Sequence, residues 1–252
     1  MIIKLKSNEV TSWLYDPLYT MKTTINGQLM LTMLIEKLIL GIPNIQIIQV
    51  NTDGITVKIE RDHEQLYYDI CNSWEFITKL QLEYVDYEKM IIKDVNNYIG
   101  IKTDGEVKYK GVFEITKKFH KNNSMSVVPK MVSEYFINNV DYKEFIKYAP
   151  IEDFCKGVKG KSNFDINLHY VKNGEHIIDK CEKVTRYYIS TNGGNLTKEF
   201  HNGNKTDCES GWKTTILQTL KPVTNIDYTY YIGEIEKLVF LIEGNKKQLQ
   251  LF

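Results

Sequence analysis

The residues with the clearest chemical potential form a short polar turn, Asn51-Thr52-Asp53-Gly54, between two runs of β-branched residues. A hard divalent cation such as Mg²⁺ prefers oxygen ligands, and a carboxylate at the tip of a tight turn is open to such a cation and to a triphosphate. One carboxylate makes a poor metal site, so this chemistry requires a second acidic residue from elsewhere. The alternative is structural, because Asp-Gly is also a common hairpin turn.

A second candidate is the lysine-rich segment between residues 102 and 130. Seven lysines stand against three acidic residues there, which gives a local charge of about +4 in a chain that is neutral overall. Such asymmetry is typical of a surface that follows a phosphate backbone. Alternation along a strand would direct Lys108 and Lys110 to one face, where contacts to phosphate bind nucleic acid without sequence preference. The alternative is an ordinary sheet edge protected from pairing by lysines.

Composition restricts the class of protein. The 252 residues are 42% hydrophobic and 25% charged, with 32 basic residues balanced by 32 acidic ones. This predicts one large folded domain or two modest ones and argues against disorder. Four scattered cysteines without a Cys-x-x-Cys pair predict reduced thiols, and the first six residues are too short and charged for a signal peptide. No apolar stretch is long enough for a bilayer, so we expect no membrane association and a cytoplasmic location.

The polar turn lies within a predicted helix–hairpin–helix segment. Asp16-Pro17 is a helix start, because Asp accepts hydrogen bonds from free amides and Pro has no amide to leave unpaired. Apolar spacing continues the helix to Leu40, and Gly41-Ile42-Pro43 predicts its end, with Gly41 in a left-handed conformation. Residues 45–59 predict the hairpin. Residues 61–78 predict a second helix with an apolar side formed by Leu66, Ile70, Trp74 and Ile77.

The rest of the chain mixes strand and helix patterns. Strand patterns cover residues 80–95, 98–102, 107–114 and 162–213. Short helices are predicted after Pro129 and a long one over residues 227–243, whereas Asn192-Gly193-Gly194 predicts a turn. This order predicts an α+β fold, in which helices pack on one face of an antiparallel sheet. A change in composition near residues 115–120 predicts a domain boundary.

Several segments resemble family B DNA polymerases, in the form found in bacteriophages. Residues 47–57 are similar to the family's Asp-Thr-Asp-Ser hairpin, and residues 22–28 occupy the place of a helix that packs beneath its active site. Asn97-Tyr98-Ile99-Gly100 and Lys108-Tyr109-Lys110-Gly111 resemble the Lys-Lys-Arg-Tyr and Lys-x-Lys-Gly segments that contact the primer. Residues 227–232 resemble the start of the last thumb helix. The segments follow the family's order over nearly the whole chain.

The resemblance implies the end of a polymerase palm in residues 1–115 and a mostly helical thumb in residues 116–252, with a β-rich insertion near 160–215. It implies two-metal nucleotidyl transfer with Mg²⁺, in which a primer 3′-hydroxyl attacks the α-phosphate of a dNTP on primer–template DNA. Asp53 would be the metal-binding catalytic residue and Asn51 its catalytic neighbour. The residues implied in DNA binding are Tyr98, Lys108, Lys110, Gly111, Lys117 and Lys118.

Two departures from the family pattern shape the expected function. The first aspartate of the hairpin is Asn51, whose neutral oxygen binds Mg²⁺ less well than a carboxylate. The family's earlier aspartate motif, its nucleotide-binding helix and its exonuclease domain have no counterpart in this sequence. We therefore expect a C-terminal fragment or split subunit, in the host cytoplasm if viral, that is inactive until an upstream polymerase polypeptide supplies the second carboxylate.

Two other functions remain open from the sequence. A non-catalytic DNA-binding protein derived from a polymerase thumb would keep the lysines and lose the chemistry, and Asn51 is the main argument for it. The chain could also be a nucleotidyltransferase of another palm-like family. In that case the match at Lys108-Tyr109-Lys110-Gly111 would be accidental.

Overall fold

A computed structural model describes residues 16–51, 53–115, 118–217 and 223–249, the last five for the backbone alone. The chain divides into two compact units, Met1–Val85 and Asp86–Phe252, called here the N-terminal and C-terminal units. Both contain helices and antiparallel strands, so the predicted α+β class is confirmed.

The N-terminal unit is a helix, a hairpin and a second helix, in the order that the sequence predicts. Its elements are α1 (Pro17–Gly41), β1 (Gln46–Val50), β2 (Ile55–Lys58) and α2 (Glu64–Thr78). Strands β1 and β2 pair antiparallel, with an irregularity between Ile47 and Gln49.

The C-terminal unit contains two antiparallel sheets and four helices among its described residues. The first sheet has the order β3 (Tyr87–Asp94), β4 (Asn97–Lys102) and β5 (Val107–Tyr109). The helices are α3 (Val127–Asn138), α4 (Tyr142–Phe145), α5 (Ile151–Phe154) and α6 (Tyr228–Leu249). The second sheet comprises β6 (Lys156–Lys159), β7 (Phe164–Lys172), β8 (Glu175–Lys180), β9 (Val184–Phe200), β10 (Lys205–Asp207) and β11 (Thr214–Ile216).

Helix α1 begins as predicted and ends differently. The Asp16 carboxylate accepts a hydrogen bond from the Tyr19 N–H at 2.9 Å, which caps the helix start. At the other end Gly41 is still helical, and the residue with positive φ is Asn44, at 56°. The predicted left-handed Gly41 is therefore wrong. A Cβ at Gly41 would meet Ile70 Cδ1 at 2.6 Å, so a larger residue there would require the end of the Ile70 side chain to shift.

The core of the N-terminal unit lies between α1, α2 and the hairpin. Its fully buried members are Leu34, Leu38, Ile42, Cys71 and Trp74. Ile55 and Val57 of β2 pack against them, and the Trp74 indole N–H donates to the Met30 carbonyl at 2.9 Å. One face of the hairpin is therefore held against the helices, which fixes the position of its tip.

The buried side of α2 is rotated from the predicted one. Leu66 and Ile77 are exposed, whereas Cys71 and Trp74 are buried and Tyr67 is half-buried. Apolar residues occupy two neighbouring faces of this helix, so spacing alone does not select between them. The inward face is centred on Cys71 and Trp74 with Ile70 packed beside them, so Trp74 and Ile70 of the predicted side are confirmed and only its edges, Leu66 and Ile77, are exposed.

The main core of the C-terminal unit joins the first sheet to α3, α6 and β9. Ile91 and Ile99 of the sheet pack in one cluster with Val132 of α3 and Ile235 of α6. The buried Tyr231 hydroxyl donates to the Phe154 carbonyl at 2.9 Å and accepts from the Ile189 N–H at 2.8 Å. This hydroxyl ties α6 to both α5 and β9.

Strand β9 runs through the second sheet, and the turn predicted at residues 192–194 is wrong. Asn192, Gly193 and Gly194 lie inside this strand, which pairs with β6 and β11 before the glycines and with β7 and β10 after them. A Cβ at Gly193 would collide with the Thr214 carbonyl. The glycines therefore allow neighbouring backbone to approach closely, which is the other common reason for glycine in a strand.

The boundary between the two units follows Val85, whereas the change in composition predicts a domain boundary near residues 115–120. Its physical basis is the shared core, because Ile91 and Ile99 pack with residues that follow position 120. The predicted β-rich segment is present as six strands between Lys156 and Ile216, so the described residues after 115 contain a substantial sheet beside their helices. The palm boundary at residue 115 depends on the family resemblance and stays a prediction.

Two helices, α1 and α6, exceed 20 residues in length. Neither these nor any other helix in the described part of the chain combines the length and apolarity needed to cross a membrane. All four cysteines are free thiols.

Candidate functional site

The tip of the β1–β2 hairpin presents an exposed carboxylate. Val50 and Ile55 form the last strand pair, and beyond them the Asn51 N–H donates to the Gly54 carbonyl at 2.7 Å, which closes the turn. Asp53 is exposed at this tip, while Thr52 lies outside the described residues. A closed turn on a packed hairpin restricts the carboxylate more than a long loop would. The geometry therefore fits one oxygen ligand for a divalent cation.

Asn51 has a different environment from Asp53. Its side chain is half-buried, and its Oδ1 is inaccessible and has no hydrogen-bond partner among the described residues. Gln49, two residues earlier in β1, is 8% exposed, and its Oε1 has no partner among the described residues. An unpaired amide oxygen is costly to bury, and an unpaired carboxylate is far more so. A neutral asparagine at position 51 is therefore less costly to bury in this environment than an aspartate would be.

The metal site implied by the resemblance is incomplete in the described residues. Among these, no group of three or more His, Cys, Asp or Glu side chains could hold a metal ion. Magnesium takes six oxygen ligands and retains some as water, and the protein usually supplies at least one or two carboxylates. Asp53 can be one of these, and the others require a source beyond the hairpin.

Lys108 of β5 and Lys110, which directly follows the strand, lie on one face, as alternation predicts, and are called here the lysines of β5. Lys108 pairs with Gly100, and the Lys110 N–H donates to the Tyr98 carbonyl at 2.9 Å, so the strand geometry continues through residue 110. Both lysines are exposed. Val107, on the opposite face, packs against the main core. The two ammonium groups therefore lie on the solvent side of the first sheet.

Tyr98 and Gly111 have structural roles next to these lysines. Tyr98 is only 6% exposed, so its ring offers little area for contact with a ligand. Gly111 has φ 65°, and a side chain there would meet the Asn97 side chain, whose Oδ1 accepts from the Val112 N–H at 2.8 Å. Local backbone conformation alone explains this glycine.

Lys118 directly precedes a 3-10 turn at residues 119–121 and Lys121 is the last residue of that turn, and both are exposed. The Arg186 guanidinium holds this turn, because it donates to the Phe119 carbonyl at 2.8 Å and to the Asn122 carbonyl. It also lies over the Phe119 ring, 4.9 Å from its centroid. Lys117, another predicted DNA contact, lies outside the described residues.

Ion pairs reduce the charge available on the basic segment. Lys102 pairs with Glu106, and Lys130 bonds both carboxylate oxygens of the buried Asp153 at 2.7 Å. In the described structure, the lysines of this segment that form no ion pair are Lys108, Lys110, Lys118 and Lys121. The cationic surface is therefore smaller than the residue count predicts.

A cleft of about 650 Å³ lies on the other face of β5. Tyr109 lines it together with Phe113, Met131 and Glu134. Burial, with a contribution from Glu134, raises the pKa of the Tyr109 hydroxyl, so this group is neutral at physiological pH. Because Tyr109 and the two lysines point to opposite sides of one strand, the cleft and the lysine face are separate surfaces.

One buried polar network was not predicted from the sequence. The Lys156 ammonium bonds Glu209 Oε1 at 2.9 Å and the Tyr230 hydroxyl at 2.7 Å, and Tyr187 donates to the same Glu209 oxygen at 2.8 Å. Burial and the adjacent Glu209 carboxylate raise the pKa of Tyr187 strongly. Lys156 and Glu209 are 53 positions apart, so no local spacing connects them. The network fastens the segment after β10 to β6, β9 and α6.

Neither a scan against protein-family models nor a search of curated proteins found a match to this chain. The assignment of function therefore depends on the residues and their geometry. Of the site residues predicted from the sequence, Asp53 in the N-terminal unit and Lys108 and Lys110 in the C-terminal unit are exposed charged groups.

Proposed function

We propose that this chain is the C-terminal part of a template-directed DNA polymerase, acting as a fragment or split subunit in the cytoplasm of the cell that harbours it. The observation that carries the proposal is the exposed Asp53 carboxylate at the tip of a closed, packed hairpin. The order of the polymerase-like segments along the sequence supports it. The substrates are primer–template DNA and a dNTP.

Asp53 is the residue that would hold Mg²⁺, with a second carboxylate from an upstream polymerase polypeptide. Bound Mg²⁺ would acidify the primer 3′-hydroxyl and stabilise the leaving pyrophosphate. The hairpin contributes a carboxylate whose position is fixed by the Asn51–Gly54 hydrogen bond and by the packing of Val57. Fixed ligands matter here because phosphoryl transfer depends mainly on positioning and electrostatic stabilisation.

The exposed lysines of β5 supply the contact with DNA. Lys108 and Lys110 lie on one strand face and form no ion pair among the described residues, so both can neutralise phosphates. Such contacts do not depend on base sequence, as a polymerase requires. They also make the affinity salt-dependent, because bound phosphates release counterions.

Reconstitution tests the catalytic role. Mixing the chain with the polypeptide that carries the missing aspartate motif should restore Mg²⁺-dependent primer extension, and Asp53→Ala should lower its rate at least 1000-fold. Asp62→Ala is the matched control, because Asp62 is an exposed aspartate of the same unit in a 3-10 turn. Extension that persists with Asp53→Ala refutes the metal-binding role.

Salt titration tests the DNA contact. The double variant Lys108→Ala/Lys110→Ala should bind duplex DNA more weakly and flatten the plot of log K against log salt by about one unit per lost contact. Lys159→Ala/Lys172→Ala removes two exposed lysines from the second sheet and serves as the control. An unchanged slope in the first variant argues against DNA binding by β5.

A non-catalytic DNA-binding protein is the second candidate, and Asn51 favours it. A neutral residue replaces the first aspartate of the hairpin and lies in a site without a hydrogen-bond partner. Under this alternative, the lysine variant loses DNA affinity while no upstream polypeptide restores extension.

A further inference from the structure

The cleft beside β5 is formed by residues of the C-terminal unit. Tyr109 and residues 113–115 line one part of it, and residues of α3 with the start of α5 line the rest. Its volume of about 650 Å³ lies within the range of small-molecule sites, roughly 300–1,000 Å³. Its apolar lining is contributed by Phe113, Ile115, Met131, Ala149 and Pro150.

The lining of the cleft is held in place by the protein itself. The Lys130 ammonium bonds both oxygens of the Asp153 carboxylate at 2.7 Å, which joins α3 to α5, and the Ser126 hydroxyl donates to the same carboxylate at 2.6 Å. Phe113 is buried in the main core, and Met131 packs against that core. A preformed site reduces the ordering that a ligand must impose on binding.

The charges on the cleft favour a cation. Three carboxylates, those of Glu114, Glu134 and Asp153, line it together with one ammonium, that of Lys130. Because Lys130 bonds both oxygens of Asp153, its charge is already compensated and is not available to an anion. Glu114 and Glu134 form no ion pair with any described residue. The cleft is therefore negatively charged.

Glu134 lies near an aromatic ring that lines the same cleft. Its charge adds to the effect of burial in raising the pKa of the Tyr109 hydroxyl, so the two groups are neighbours. Glu134 Oε2 accepts a hydrogen bond from the Asn138 amide at 2.7 Å, and no described residue donates to Oε1. Tyr109 and Phe113 add two aromatic rings, whose faces attract cations.

We propose that this cleft binds a small organic cation, a primary ammonium group attached to an aromatic or branched apolar body. The ammonium lies beside Glu134 and Tyr109, where it gains a charge-assisted hydrogen bond and the attraction of the ring. The apolar body lies on Phe113 and Met131. This inference depends neither on a metal-binding role of Asp53 nor on a DNA contact by the lysines of β5.

The test uses three ligands that share a phenyl ring and a two-carbon chain and differ in charge. Phenethylamine is a cation at pH 7, phenethyl alcohol is neutral and phenylacetate is an anion. The readout is NMR of the full chain with isotope-labelled methionine methyl groups. Met131 lines this cleft, whereas Met125 lines a neighbouring cleft of about 520 Å³ and is therefore the internal control for position.

We expect phenethylamine to shift the Met131 signal but not the Met125 signal, with a Kd of about 1 mM or lower, as a ligand of this size allows. Phenethyl alcohol should bind roughly 10-fold more weakly, and phenylacetate more weakly still. Glu134→Gln, which keeps the shape of the side chain, should lower the affinity for the amine about 10-fold and leave that for the alcohol unchanged. Glu144→Gln removes an exposed carboxylate of α4 outside the cleft and should change neither affinity.

Four results overturn the inference. Equal affinities for the three ligands would mean that the cleft recognises the apolar body alone, and tighter binding of phenylacetate would mean that Lys130 is available to anions. Unchanged binding of the amine by Glu134→Gln would remove the recognition of charge. A Met131 signal that does not move at about 10 mM amine would show that the cleft does not take this class of ligand.

Discussion

Residues 51 and 53 occupy opposite electrostatic environments although they belong to the same turn. The Asp53 carboxylate is exposed to water, whereas the Asn51 amide oxygen is enclosed and has no donor among the described residues. A carboxylate at position 51 would need a cation or a hydrogen-bond donor beside it. Because asparagine is neutral, the hairpin can close without a cation or a donor beside position 51.

Asn51→Asp should destabilise the N-terminal unit by about 1–2 kcal/mol at pH 7, because it encloses a charge without a partner. This loss of stability should be smaller at pH 4, where the introduced carboxyl group is protonated. Urea unfolding at both pH values measures this, with Asn72→Asp on the exposed surface of α2 as control. Equal stabilities of the variant and the original chain at pH 7 would show that position 51 tolerates a charge.

Glu199 makes stability dependent on pH in the C-terminal unit. Its carboxylate accepts hydrogen bonds from Lys205 at 2.9 Å and His169 at 2.7 Å, and these partners, Lys205 first, lower the pKa of Glu199 to about 2. A lowered pKa means that the stabilisation is complete above the unfolded value of 4.5 and is lost as the pH falls toward 2. Glu199→Gln should therefore be less stable than the original chain at pH 7.

The difference between the two proteins should narrow steadily between pH 5 and pH 2. Urea midpoints across this range provide the measurement, and Glu175→Gln on β8 is the control because Glu175 is an exposed carboxylate of the same sheet. A constant difference at all pH values would remove the electrostatic explanation.

Elements defined by local signals were predictable from the sequence, and those defined by distant contacts were not. The Asp16 cap, the Asn51–Gly54 turn and the alternation of Lys108 and Lys110 are local, and the structure contains all three. The continuity of β9 through Gly193 depends on the Thr214 backbone beside it. The ion pair of Lys156 likewise depends on a residue that is distant in sequence. Of the candidate site, the hairpin and the lysine strand were predictable, whereas the burial of Tyr98 depends on tertiary packing.

Gly193→Ala should destabilise the second sheet by about 3 kcal/mol, because its methyl group would overlap the Thr214 carbonyl. Gly233→Ala is the opposite case. A side chain at this position in α6 meets nothing within 4 Å, and alanine should stabilise the helix by about 0.5–1 kcal/mol. Thermal unfolding of both variants checks the contrast. Similar changes in stability for the two variants would mean that the nearby Thr214 backbone is not the reason for glycine at position 193.

At the scale of the whole molecule, each hydrophobic core belongs to one unit. The cluster around Leu38 and Trp74 contains only residues before position 86, and the clusters around Ile91 and Val158 contain only residues after it. The candidate metal ligand and the candidate DNA-binding lysines therefore lie in separate units, each with its own core. The proposed catalytic role and the proposed DNA contact can therefore be tested on the two units separately.

Residues 86–252 expressed alone should fold cooperatively and bind duplex DNA with the affinity and salt slope of the full chain. This follows because the fragment keeps its complete core and both lysines of β5. Circular dichroism during urea titration and fluorescence anisotropy with labelled duplex are the measurements. A fragment that folds but has lost its affinity would assign DNA binding to the N-terminal unit.

The hydrogen bond from the Trp74 indole to the Met30 carbonyl gives the chain a built-in optical reporter. Trp74 is 2% exposed, and its indole is bonded to the Met30 carbonyl near the middle of α1. The chain has three tryptophans, so replacing Trp13 and Trp212 by Phe leaves this indole as the single long-wavelength emitter. Its emission maximum and lifetime would then register any strain on α1, and movement of that helix could be followed in real time without a dye.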